Sequence, residues 1–159
     1  MPEVQVVTAG TKAQQAHPVH MMTTVALAEF GFAEPAHSSQ LLTDSVVADV
    51  GLVLTAERTH RAAVLALRPD LLRRTFTFLE FVALAQAVSP QRSRDELTVA
   101  MVDVIAQRGL VRVGADDLPD PIDQGAGAHR AMVATVVAAV DRLTTALCVA
   151  PVTGSVDRA

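Results

Sequence analysis

The stretch that decides the fold is Ala48-Asp49-Val50-Gly51-Leu52-Val53-Leu54-Thr55, followed by Ala56-Glu57-Arg58-Thr59-His60-Arg61. Five residues, Val50 to Leu54, are apolar without polar alternation, as expected of a central strand covered by helices on both faces. The following segment, Glu57 to Leu67, has helical spacing and stops before Pro69, because the residue preceding a proline is pushed out of helical geometry. A buried strand running straight into a helix is half of a β-α-β unit, and the rest of the chain repeats the alternation.

On the C-terminal side, Arg74-Thr75-Phe76-Thr77-Phe78 alternates with period two and reads as a third strand. A helix from Leu79 to Val88 ends before Pro90, and another spans Ser93 to Gln107 with Gly109 after it. Residues 114–127 hold two prolines, three glycines and four aspartates and read as a loop. A last helix is expected from about Ala128 to Leu147. On the N-terminal side, Val4 to Thr8 reads as the first strand, stopping at Ala9-Gly10-Thr11. Val19 to Phe30 has apolar residues at helical spacing with Gly31 as a C-terminal cap, and Thr43 caps a short helix through Val47 with Asp44 in its first turn. Short strands alternating with longer helices predict an α/β domain built on a parallel sheet. One domain is expected over residues 1–147 and a flexible tail over 148–159, where Pro151 and Gly154 interrupt any regular pattern.

Composition narrows the function classes. Of 159 residues, 50% are hydrophobic and 19% charged, with a formal charge of −4. That apolar content supports a packed core and excludes disorder over most of the chain. Arg73-Arg74 is the single adjacent basic pair and aromatic residues amount to five phenylalanines, so nucleic-acid binding by phosphate contacts or base stacking has little support. The longest uncharged apolar stretch, Ala131 to Val140, is half of the ~20 residues that span a bilayer, so no membrane partner is expected. The opening Met1-Pro2-Glu3 carries an acid where a signal peptide has basic residues, and the expected location is the cytoplasm. Cys148 is the single cysteine, which excludes an intrachain disulfide and a thiolate metal cluster.

Three clusters carry residue types that could form a site. Asp116, Asp117, Asp120 and Asp123 lack the spacing of a calcium loop and read as a solvated loop. His17, His20 and His37 share no regular face and read as surface histidines rather than zinc ligands. Arg58, His60 and Arg61 follow the C-terminal end of the central strand, the side on which open α/β sheets bind ligands, and fit an anion site or a solvated helix face equally. No metal and no cofactor is expected, since no glycine-rich dinucleotide loop follows any strand.

The order and spacing of these segments resemble the low molecular weight protein tyrosine phosphatase family, in its bacterial branch. The resemblance is carried by Thr8-Ala9-Gly10-Thr11, His37-Ser38-Ser39-Gln40-Leu41-Leu42-Thr43, Ala48 to Thr55, His60-Arg61, Arg74 to Phe81 and Leu118-Pro119-Asp120-Pro121-Ile122. It implies a three-layer, doubly wound, flavodoxin-like parallel sheet over about residues 4–147. It also implies that an apolar strand, a Cys-x5-Arg phosphate loop and a helix precede the Ala-Gly-Thr strand in the family, so that this chain lacks its N-terminal strand and helix and opens at the family's second strand.

In the family the loop cysteine attacks phosphorus, the loop Arg clamps the phosphate oxygens, and the Asp-Pro aspartate protonates the leaving group before activating water. The resemblance carries one catalytic role over to this chain, that of Asp120. Cys148 and Arg158 are ten residues apart, so the chain contains no Cys-x5-Arg. Cys148 reads as a small apolar residue ending the last helix. Ile122 replaces the aromatic residue that many members place after Asp-Pro, which puts tyrosine specificity in doubt, and a thioredoxin-linked arsenate-reductase relay is excluded by the lone thiol.

The expected function is therefore that of a phosphatase lineage acting on phosphorylated protein or small phosphomonoesters, inactive without its nucleophile loop. The alternative is a non-catalytic binding or regulatory module completed by a partner, or by homo-oligomerisation through exposed sheet edges.

Overall fold

The computed structural model describes residues 5–14, 16–33, 37–88, 97–114 and 116–147, with backbone alone over 97–100. Among the described residues six helices and two strands follow in chain order: α1 (Met21–Glu29), α2 (Asp44–Val47), β1 (Val53–Thr55), α3 (Arg58–Leu67), a 3-10 segment (Pro69–Arg74), β2 (Thr75–Thr77), α4 (Phe78–Ala85), α5 (Leu97–Ala106) and α6 (Ala126–Leu147). β1 and β2 run parallel, with Val53 opposite Thr75, Leu54 opposite Phe76 and Thr55 opposite Thr77. Upstream, Gly10 forms an isolated parallel bridge with Leu41, closed by Gly10 N–H to the Gln40 carbonyl at 3.0 Å and Leu42 N–H to the Gly10 carbonyl at 2.9 Å.

Helices cover both faces of the sheet. One cluster joins Phe76, Phe81, Leu84, Ala85 and Val104, with Leu52, Val113 and Leu143 packed against it. The other joins Val47, Val64 and Leu71, with Leu42, Val50 and Val53. Consecutive residues Leu52 and Val53 thus enter opposite layers, as the period-two alternation of a strand requires. This is the three-layer α/β arrangement expected, with β2 buried throughout.

Several boundaries move for identifiable reasons. The third strand stops at Thr77 because Thr77 and Glu80 form a reciprocal capping box that draws Phe78 into α4. The central strand starts at Val53, three residues after the apolar run begins, where β2 first lies opposite it. A 3-10 segment, Pro69–Arg74, begins with Pro69, buries Leu71 and takes in Arg74, which the sequence pattern assigns to the third strand. α6 starts two residues early and takes in Gly127. Residues 5–9 form no ladder, although a strand was expected there: Val6 and Val7 are exposed and no strand among the described residues runs beside them. Val4, residues 93–96 of the expected fifth helix, and the tail with Cys148, Pro151, Gly154 and Arg158 lie outside the described residues. No described helix is long and apolar enough to cross a membrane.

Candidate functional site

The loop that carries Asp120 is fastened to the C-terminal end of the sheet. Leu118 N–H donates to the Ala56 carbonyl at 2.9 Å, which places the loop directly beyond β1. Asp117 accepts the Arg58 backbone N–H at 2.7 Å and its Nε at 3.4 Å, so a carboxylate sits at the N-terminus of α3, where Glu57 makes no side-chain cap. Asp116 is buried, lies 3.4 Å from Arg58 Nε and accepts the Thr77 hydroxyl at 3.1 Å. The anchor therefore reaches from the loop through the start of α3 to the end of β2.

Asp120 itself is exposed. Its Oδ1 accepts Ile122 N–H at 3.0 Å and its carbonyl accepts Gln124 Nε2 at 2.7 Å, so the carboxylate is oriented by an Asx turn. Asp123 completes the turn with φ +62°, a left-handed conformation that Asp tolerates better than most residues. Ile122 projects outward, 56% exposed. Beside this edge lies a cavity of about 330 Å³ lined by residues 7–11 and 52–56, with Leu42, Val46, Val47, Val50, His60 and Val64 completing its wall. Asp120 is not among its lining residues.

The anion-site reading of Arg58 and Arg61 meets paired cations. Arg58 is held by Asp116 and Asp117, and Arg61 Nη1 lies 3.9 Å from Glu80. The four loop aspartates do not act as one cluster: Asp116 and Asp117 serve the anchor, while Asp120 and Asp123 shape the turn. The three histidines have separate partners. His17 exchanges backbone and hydroxyl contacts with Ser39, His37 Nδ1 lies 3.5 Å from the Thr8 hydroxyl, and His20 caps α1 by accepting Met22 N–H.

Sequence reasoning passed over Glu80 and Arg108. Arg108 spans both Glu80 oxygens at 3.1 Å, donates to the carbonyls of Leu72 and Thr75 at 2.9 and 2.6 Å, and lies with its guanidinium 3.7 Å from the Phe76 ring centre. The pattern Thr77-x-x-Glu80 ahead of an apolar run is a capping-box signature, and it was the available signal for Glu80.

No protein-family model matches this chain, and no curated protein does. Solved structures do. An arginine phosphatase, YwlE, from Geobacillus stearothermophilus superposes with a TM-score of 0.67 at 21% identity, covering 91% of this chain and 75% of its own. Vibrio vulnificus Wzb, solved with benzylphosphonate, gives 0.64 at 19% identity over 92% and 82%. A low molecular weight protein tyrosine phosphatase from T. tengcongensis gives 0.61 at 19% identity over 87% and 75%. The fold is that of the low molecular weight protein tyrosine phosphatases.

Proposed function

We propose that this chain is the scaffold of a low molecular weight phosphatase-type phosphomonoester hydrolase in which Asp120 is the general acid, and that its 159 residues alone do not turn substrate over. The observation that supports the reading is the attachment of the Asp120-Pro121 loop to the sheet. The loop is tied to Ala56 at the C-terminal end of β1, the edge where open α/β sheets bind ligands. An exposed carboxyl held by an Asx turn suits a group that gives a proton to a leaving oxygen and takes one from water.

Displacement at phosphorus also needs a thiolate and a bidentate cation, and no Cys-x5-Arg occurs in the chain. Arg58 does not stand in for that cation, since Asp116 and Asp117 already hold it. The substrate class follows from the same chemistry: phosphorylated protein side chains or small phosphomonoesters. Ile122 offers an apolar wall without an aromatic face, which favours no preference for phosphotyrosine.

The test is the mass of the native protein in its own cells against the 16.8 kDa of these residues, followed by hydrolysis of p-nitrophenyl phosphate. A heavier in-frame product that hydrolyses the ester and loses about 10²-fold or more in kcat on Asp120→Asn supports the reading. A 16.8 kDa native product without turnover overturns the hydrolase reading and leaves only the inactivity of these residues standing; turnover by the 16.8 kDa chain overturns that inactivity, and Asp120→Asn at full rate in an active product overturns the role of Asp120.

A further inference from the structure

β1 and β2 run parallel, so both strands start at one end of the sheet and finish at the other. The starting end is basic. Leu72-Arg73-Arg74 leads directly into β2, and Arg108 holds the segment after α5 beside it by donating to the carbonyls of Leu72 and Thr75 at 2.9 and 2.6 Å. Leu72 and Leu110 are 54% and 78% exposed there. Arg68 and Arg74 share Asp70, and Arg108 is taken by Glu80. Arg73 and Arg112 are exposed and form no ion pair among the described residues. The finishing end is acidic. Its loop is tied down through Asp116 to Thr77 and through Leu118 to Ala56, and the turn beyond presents Asp120, Ile122 and Asp123 to solvent. Asp120 bonds only within that turn, and neither it nor Asp123 meets a cation among the described residues. Two unpaired cations beside exposed leucines thus lie at one end of the sheet, and two unpaired carboxylates beside an exposed isoleucine at the other.

We propose that the arginine end docks on the Asp120–Asp123 turn of a second copy of this chain, Arg73 and Arg112 against Asp120 and Asp123 and the leucines against Ile122. Opposite charges orient such a contact, while the apolar side chains leave water together. The two surfaces lie at opposite ends of the strands, so the contact is heterologous: each copy keeps one end free, and copies add head to tail. So small a patch belongs to the weak class of interface, below about 1,200 Å². None of these residues lines the cavity beside β1. The pairing rests on charge and position and not on the phosphatase reading, so either can fail without the other.

The experiment is sedimentation equilibrium of the full chain at up to ~1 mM. The expected result is association that continues past two copies and weakens about tenfold or more between ~0.02 and ~0.3 M salt. Arg73→Glu with Arg112→Glu, and separately Asp120→Asn with Asp123→Asn, each weaken it about three- to thirtyfold, the loss of two exposed charge pairs. The asparagines keep the turn, since an amide oxygen still accepts Ile122 N–H and Asn tolerates φ +62°. In an equal mixture the first variant brings an intact turn and the second an intact arginine end, so association returns but stops at two copies. A chain that stays monomeric, unmodified chain that stops at two copies, association indifferent to salt or to both double variants, or a mixture no stronger than its parts overturns the proposal. So does a monomeric chain that binds a probe peptide of alternating glutamate and leucine through Arg73 and Arg112, which would make the occupant a different acidic polypeptide.

Discussion

Thr77 donates its hydroxyl to the Asp116 carboxylate at 3.1 Å while the same oxygen accepts the Glu80 backbone N–H at 3.2 Å. One side chain thereby ends β2, starts α4 and holds the loop that leads to Asp120. Thr77→Val keeps the shape and removes both bonds, leaving Asp116 short of a donor in a buried position. The expected loss is about 2–3 kcal/mol in urea unfolding, combining a lost cap with a lost bond to a charged acceptor. Thr77→Ser should restore most of it. A Thr77→Val loss under about 0.5 kcal/mol would show that neither bond contributes.

Arg108 and Glu80 form a planar fork against a carboxylate, with two contacts of 3.1 Å. Arg108→Lys retains the charge but presents a single ammonium, which cannot meet both carboxylate oxygens and the carbonyls of Leu72 and Thr75 together. A loss of about 2–3 kcal/mol is expected, because the Glu80 side chain is 13% exposed and the pair is little screened. A double-mutant cycle of Arg108→Met with Phe76→Leu isolates the contact with the ring and should return about 0.5–1 kcal/mol. Additive single effects would remove the ring from the account.

These contacts also explain what could be read in advance. The buried strand, the helix that follows it and the Asp-Pro loop were legible because period-two runs, proline stops and turn residues act within a few positions of one another. The Arg108 fork was not, since its partners lie 28 to 36 residues away in sequence and nothing local marks Arg108 as different from Arg112. The strand expected at Val4 to Thr8 shows the opposite failure. Its propensity is local, but a strand exists only through a neighbour, and Val7 faces a cavity where that neighbour would have to be. Asp120 was assigned from register alone, and the Asx turn that orients it is common to many loops that catalyse nothing.

Asp70 is held below the usual carboxylate range by the hydrogen bond from Arg68, with Coulomb attraction to Arg68 and Arg74 acting in the same direction and partial desolvation opposing. Its pKa is depressed in the folded state, so its contribution to stability is present above the unfolded value and is lost as pH falls through the folded one. NMR titration should place the Asp70 midpoint below that of a model peptide, and Arg68→Gln should raise it. Asp70 is exposed and Arg68 half-buried at the surface, so added salt should shrink the difference. A midpoint that Arg68→Gln leaves in place would assign the shift to something other than this pair.

His129 docks α6 against α1. Its Nδ1 lies 2.8 Å from the Thr23 hydroxyl, its ring stacks on His20 at 4.8 Å and 14°, and Nε2 is buried with no partner among the described residues. His129→Phe keeps an aromatic ring for the stack but strands the Thr23 hydroxyl, and should cost about 1–3 kcal/mol. Thr23→Val alone strands Nδ1 and should cost a similar amount. The double variant replaces both partners with apolar groups of matching shape, so most of the loss should return, giving a coupling of about 1–2 kcal/mol in denaturant unfolding. Additive losses would mean that ring packing, and not the Thr23–His129 bond, holds the two helices together.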